Sequence, residues 1–243
     1  MVITLMITAI ITHIAMDEAA PQVLPLFVWL SPSFPVGSFA YSHGLEWAIE
    51  TGAIRDATSL AGWIDPFFDH GVLHNEAVLL NLGWRSARHG DTRAFADLNT
   101  LALALCPSRE LHLETSQQGA AFLAAASAAW PFAALPSFQS CLDEEIAYPL
   151  AVALFAAGHG IAQQPLTEVF LMAFCGNLVS AAQKLAIVGQ SEAQQMLAGW
   201  RTKIDALARF AVDAEESALG TCAYSADIAS MKHETQYSRL FRS

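Results

Sequence analysis

Leu197, Trp200, Ile204, Leu207 and Ala211 follow one another at steps of three and four residues. At 3.6 residues per turn, those steps lay one apolar stripe along one face of a helix. Lys203, Asp205, Arg209 and Asp213 fall mostly off that stripe. The same rhythm recurs upstream in Phe95, Leu98, Leu101 and Leu105, after an Asp91 able to cap the helix. That helix is expected to stop near Pro107, because proline disfavours helical geometry in the residue before it. Ser108 can cap the next, with Glu110 and Glu114 near its start, where the helix dipole favours negative charge. A further helix is expected from Pro165 to Val188, closed by Gly189. Another runs from Ser191, capped with Gln194, to Leu219. Residues 56–88 read as one long helical region bent at Pro66 and Gly71. Strand signals are scarce, and neither Asn-Gly nor Asp-Gly occurs to close a tight hairpin. The breaks are Pro/Gly punctuation, without a long polar linker or internal repeat. The expected fold class is therefore all-α, a single-domain helical bundle. Its expected parts are a variable N-terminal extension at 1–20, a helical domain at 21–228 and a C-terminal tail at 229–243.

Composition narrows the function. The formal net charge is −11 over 243 residues. That balance argues against a nucleic-acid partner, since binding phosphates needs clustered Lys and Arg. Cys106, Cys141, Cys175 and Cys222 are scattered, without the close pairing of a zinc finger. Scattered cysteines in an apolar helical chain are expected to be buried and reduced, and a cytoplasmic address fits them. The apolar start MVITLMITAIITHIAM has no preceding Lys or Arg, unlike a signal peptide, and is short for a membrane span. Residues 116–142 and 146–167 carry no formal charge, but prolines and glutamines interrupt them. They read as buried helices of a soluble bundle, and no membrane partner is expected.

Chemistry-bearing motifs are few. His70 and His74 are the best-spaced metal pair, since positions i and i+4 share a helix face, with Asp69 and Glu76 nearby. They carry the rival reading, a helical metal-binding protein. The pair is not HExxH and has no evident third ligand, and partly exposed helix histidines are the plainer account. His43, His112, His159 and His233 read as hydrogen-bonded structural residues. Asp143, Glu144 and Glu145 form an acidic knot read as sitting at a helix N-terminus. Glu46 is a singleton carboxylate, and Lys184 lies among apolar residues with room to snorkel outward. GxSxG, the GxxxxGK[ST] phosphate loop and GxGxxG are all absent. An interaction protein is the natural default.

Two segments break the helical pattern. SPSFPVGSFAYSHGLEWAIE, from Ser31, is a Pro/Gly loop between helices. IASMKHETQYSRLFRS, from Ile228, is locally basic in an acidic chain and carries Tyr237, Leu240 and Phe241. Hydrophobic anchors flanked by Arg suit a segment that orders on a partner, and such a tail should add little to the core. Both segments resemble signatures of the UreF family of urease accessory proteins. SRELHLETSQQGAAFL and NLVSAAQKLAIVGQSEAQQML, between them, resemble it in order and spacing. The resemblance covers residues 24–243. One departure is Ala147-Tyr148 before Pro149, where the family often carries a histidine.

The resemblance implies an all-helical, cytoplasmic homodimer without catalytic residues. It implies a complex with a UreD/UreH-like scaffold, a UreG-like GTPase and apo-urease. In that complex GTP hydrolysis by the UreG-like partner is coupled to nickel delivery, and the UreF-like subunit regulates it. No tightly bound cofactor is implied, since the complex handles the nickel. The implied scaffold-binding tail comprises Met231, Lys232, His233, Glu234, Gln236, Tyr237, Arg239, Leu240, Phe241 and Arg242. The implied face for the GTPase comprises Pro35, Gly37, Tyr41, Ser42, Glu46, Lys184 and Gln190.

Overall fold

Side-chain caps fix several helix starts in the computed structural model, which describes residues 23–220 and 222–242. The Asp91 carboxylate accepts the Ala94 N–H at 2.9 Å, and the Ser108 hydroxyl accepts the Leu111 N–H at 3.1 Å. Both are the caps read from sequence, each contributing about 1 kcal/mol. Asp56 and Ser59 cap each other reciprocally, at 2.8 and 3.0 Å.

The helices run in order as α1 (Leu24–Trp29), α2 (Leu45–Glu50), α3 (Ala57–Ile64) and α4 (Phe67–His70). Next come α5 (Val72–His89), α6 (Thr92–Ala104), α7 (Arg109–Ala129) and α8 (Leu135–Gln139). The last are α9 (Tyr148–Gly158), α10 (Gln163–Lys184), α11 (Gln190–Asp213) and α12 (Tyr224–His233). Short 3-10 turns lie at Ser38–Ala40 and Glu216–Ala218. No strand occurs among the described residues, so the all-α expectation holds. The N-terminal extension expected at 1–20 lies outside the described residues.

Three local expectations are corrected. Residues 56–88 form three helices, because Pro66 and the extended Gly71 break the run rather than bend it. α10 ends at Lys184, and Ala186 beyond it takes a left-handed φ of 60°. Gly189 precedes α11 instead of closing α10, and its N–H donates to Glu192 at 2.9 Å. Ser191 and Gln194 therefore do not form the cap.

Helix α9 is the middle of the bundle. Every residue from Leu150 to Phe155 is fully buried, so the helix is apolar all round. It packs chiefly against α5 and α7. A Cβ built on Gly119 of α7 would stand 1.9 Å from the Ile146 carbonyl oxygen, so only glycine permits this approach. Trp29 packs edge-on against Phe122 and Phe155, at 6.1 and 6.2 Å between ring centroids. A second apolar cluster joins α2, α3 and α4 to α10 and α11. Helices α5 and α10 contribute to both clusters, which makes one body of them. Between these two helices, buried Asn81 donates to Thr167 at 2.8 Å and accepts from Gln163 at 3.0 Å. Among the described residues, only α10 is long and apolar enough to cross a membrane. Its Leu171, Cys175, Leu178 and Ala182 are buried in the second cluster.

Candidate functional site

The Pro/Gly loop and the C-terminal segment, about 190 residues apart in the chain, meet in one place. Backbone geometry prepares the meeting. Gly44 has φ +74°, and a Cβ on it would lie 2.7 Å from the Ser230 amide nitrogen. A glycine there lets α12 lie directly on the loop. Ser230, fully buried, shares a 2.5 Å hydrogen bond with Ser108, the cap of α7. The first helical N–H of α7, at Arg109, donates to Glu234 at 2.8 Å.

Two buried carboxylates hold the C-terminal segment from His233 onward. His233 is fully buried, with Nδ1 2.7 Å from a Glu110 oxygen and Nε2 3.3 Å from a Glu46 oxygen. Arg239 donates to the other Glu110 oxygen at 2.8 Å. The backbone N–H groups of Leu240 and Phe241 donate to the two Glu46 oxygens, at 2.7 and 2.9 Å. Gln236 donates to Glu50. The Phe241 ring is buried in the second apolar cluster, and the Arg242 N–H donates to the Ala40 carbonyl at 2.8 Å. Lys184 closes the arrangement from α10. Its Nζ donates to the Phe39 carbonyl at 3.0 Å and stands 5.5 and 5.6 Å from the Phe39 and Phe241 ring centroids.

The tail is thus part of the body, against the expectation that it adds little to the core. His233 and Phe241 point inward, while Met231, Tyr237 and Leu240 are exposed, as are Lys232, Arg239 and Arg242. The loop divides in the same way. Tyr41, Ser42 and Glu46 are buried, and Pro35, Lys184 and Gln190 are exposed. Gly37 takes a left-handed φ of 74° with open space around it, so its part is backbone shape. The Tyr41 hydroxyl donates to Gln117 at 2.8 Å. Burial, and then the charge of Glu114, push its pKa up, while a hydrogen bond with Arg242 pulls it back.

Sequence reasoning missed Glu110, Ser108 and Ser230 as members of this site. Glu110 looked like a first-turn acid serving a helix dipole, and its sequence neighbourhood carries no sign that α12 covers it. Beside the site lies a cavity of about 90 Å³ bordered by His43, Glu76, Cys106, Glu114 and Asp227. His43 and Glu114 pair there at 2.9 Å. Burial, with Glu114 adding to it, pushes the Glu76 carboxyl up to about 8. Burial likewise raises the Cys106 thiol to about 12, which leaves it inert at neutral pH.

The remaining candidates separate. His70 ends α4 and His74 lies in α5, with the extended Gly71 between them, so they do not share one helix face. They border one open hollow, but His74 Nε2 is 2.9 Å from the Ala218 carbonyl oxygen. Among the described residues, no three His, Cys, Asp or Glu side chains gather in a way that could hold a metal ion. The acidic knot at 143–145 stops short of α9, whose cap is Ala147 and whose first turn has no acid. The Glu145 carbonyl accepts Asn99 at 2.9 Å, and its carboxylate stands 3.7 Å from His112.

What the fold and site define is an all-helical protein whose best-organised buried charges grip its own C-terminal segment. A profile of the UreF family matches residues 54–201. A urease accessory protein UreF of Methylobacterium radiotolerans is 46% identical over 224 residues, covering 92% of this chain and 98% of that protein. Another, from Mesorhizobium japonicum, is 51% identical over 221 residues, covering 90% of this chain and 96% of that protein. A third, from Methylobacterium sp. strain 4-46, is 50% identical over 220 residues, covering 90% and 88%. The chain belongs to the UreF family of urease accessory proteins.

Proposed function

We propose that this chain is a non-catalytic subunit of a cytoplasmic nickel-insertion assembly that matures urease. It works as a homodimer and binds a UreD/UreH-like scaffold through its C-terminal segment. A UreG-like GTPase is engaged through the adjoining face around Pro35, Lys184 and Gln190, and the chain regulates that GTPase as it loads apo-urease. Nickel is cargo of the whole assembly, and this subunit carries no resident cofactor.

One observation carries the reading. The segment from Met231 to Arg242 is pinned from beneath and leaves Tyr237, Arg239, Leu240 and Arg242 exposed. Exposed aromatic and aliphatic anchors interspersed along the chain with Arg have the composition of a binding hot spot. In a chain of net charge −11, a basic cluster is a local exception that suits an acidic partner surface. The organised groups at the site contact the protein's own C-terminal segment, an arrangement suited to holding a shape.

The test is co-expression with the UreD-like and UreG-like proteins, comparing the native chain with a Tyr237→Ala, Leu240→Ala double variant. Both side chains are exposed, so the variant keeps its fold. The expected outcome is a folded variant that fails to recover the complex and supports little nickel-dependent urease activity. Equal recovery of the complex by both chains would reject this surface as the docking face.

A further inference from the structure

We propose that the cavity beside the site is an alkaline-sensitive switch, in which loss of the Glu76 proton loosens α5 and α7 from each other. Its use in urease maturation rests on the function proposed above. Its working parts belong to the helical frame.

The cavity, about 90 Å³, separates two helices that are joined chiefly through a third, α9. Glu76 borders it from α5, Glu114 from α7 and Tyr148 from α9. Cys106 borders it from the link before α7, His43 from the loop before α2 and Asp227 from α12. Helix α10 presents only the uncharged Phe174 ring. Among the described residues no Lys or Arg lines the cavity, so His43 is the one lining side chain able to become a cation. Its Nε2 is engaged by Glu114 at 2.9 Å, and Glu114 also accepts Gln118 at 2.9 Å. Glu76 has no such support. Among the described residues, no hydrogen bond reaches its carboxyl.

A carboxyl so placed keeps its proton, because the ion would lack donors. Burial, and after it the charge of Glu114, raises its pKa to about 8. The neighbours do not take the charge in its place. Burial, with Glu76 next, raises the Tyr148 hydroxyl, and burial raises the Cys106 thiol to about 12. The cavity holds about three waters at liquid density, so a new anion meets little solvent there. Below about pH 8 Glu76 is neutral and the frame stays closed. Above it, two carboxylates face one small space, and water must enter to separate them. The walls free to part are α5 and α7, since each packs on α9 more than on the other.

Urea hydrolysis releases ammonia, a base. A maturation subunit that loosens as its surroundings turn alkaline slows further maturation where urease already works.

Two measurements on the isolated, full chain test the switch. Between about pH 6.5 and about pH 9, infrared spectra of the native chain should lose a protonated-carboxyl C=O band, and those of Glu76→Gln should not. Amide hydrogen exchange, corrected for the intrinsic rate at each pH, reads the loosening. Protection at residues 72–80 and 109–118 should fall at least tenfold in the native chain over that range. Glu76→Gln keeps the shape of the protonated acid without its titration, and its protection should hold within twofold, as should that of α11 in both proteins. A native chain lacking the band at about pH 6.5 would overturn the switch, whatever becomes of the variant. So would unchanged protection in the native chain, or a band that is lost equally in Glu76→Gln.

Complex recovery separates the two readings. Over the same range, recovery with the UreD-like and UreG-like proteins should fall at least tenfold more for the native chain than for Glu76→Gln. Equal falls for the two chains would overturn the regulatory use. A native chain that loosens as expected but binds neither partner at either pH would refute the proposed function and leave the switch standing.

Discussion

At the scale of single residues, burial decides the chemistry. Glu46, Glu110 and Glu76 are all glutamates on helices, and their surroundings in the fold set them apart. Glu46 and Glu110 meet N–H donors from the C-terminal segment. Glu76 instead faces the cavity near Glu114, and burial raises its carboxyl from the ordinary 4.5 to about 8. Between those values the folded chain holds a proton that the unfolded chain has released. Stability contributed by Glu76 therefore falls as pH rises from about 4.5 through about 8. Glu76→Gln removes the titration. Urea unfolding from pH 5 to 8.5 should show a flatter pH dependence in the variant, with its largest gain over the native chain at the alkaline end. A gain of roughly 1 kcal/mol or more is expected there. Equal slopes for the two proteins would mean that Glu76 titrates normally.

Among the elements, legibility followed the range of the cause. The caps at Asp91 and Ser108 were readable because a cap acts on a backbone N–H three residues away. The α11 stripe was readable because its period is local, and Trp200, Ile204, Leu207 and Ala211 are all buried. Gly71 breaks the run where the sequence predicts a bend, since proline and glycine permit either and packing chooses. For the site, sequence identified both segments that meet, but not the meeting. Nothing near Glu110 or Ser108 announces α12, and the inward turn of His233 and Phe241 depends on a surface built by other helices. Gly119 is a similar case, an ordinary-looking glycine in a helix until the Ile146 carbonyl is placed against it. Gly119→Ala should force α7 away from the backbone entering α9. A loss of about 3 kcal/mol or more in urea unfolding is expected, well beyond the propensity gain of alanine over glycine. A variant as stable as the native chain would show that α7 can shift freely there.

Across the whole molecule, the two apolar clusters share α5 and α10, so neither can come apart alone. Unfolding should be a single cooperative transition. Tryptophans sample both clusters, Trp29 in one and Trp200 in the other, while far-UV circular dichroism reports all the helices. The fluorescence and dichroism curves in urea should superimpose; separated midpoints would reveal two independent units. The burial of α9 has a different consequence, for the chain during its synthesis. An all-apolar helix is a hazard while it lacks its neighbours, because exposed apolar surface invites aggregation. Here α5 and α7, its chief neighbours, both precede it. As the ribosome extrudes α9, the groove that receives it has already left the exit tunnel. The order of helices along the chain thus shortens the interval in which this segment meets water, other nascent chains or a lipid surface.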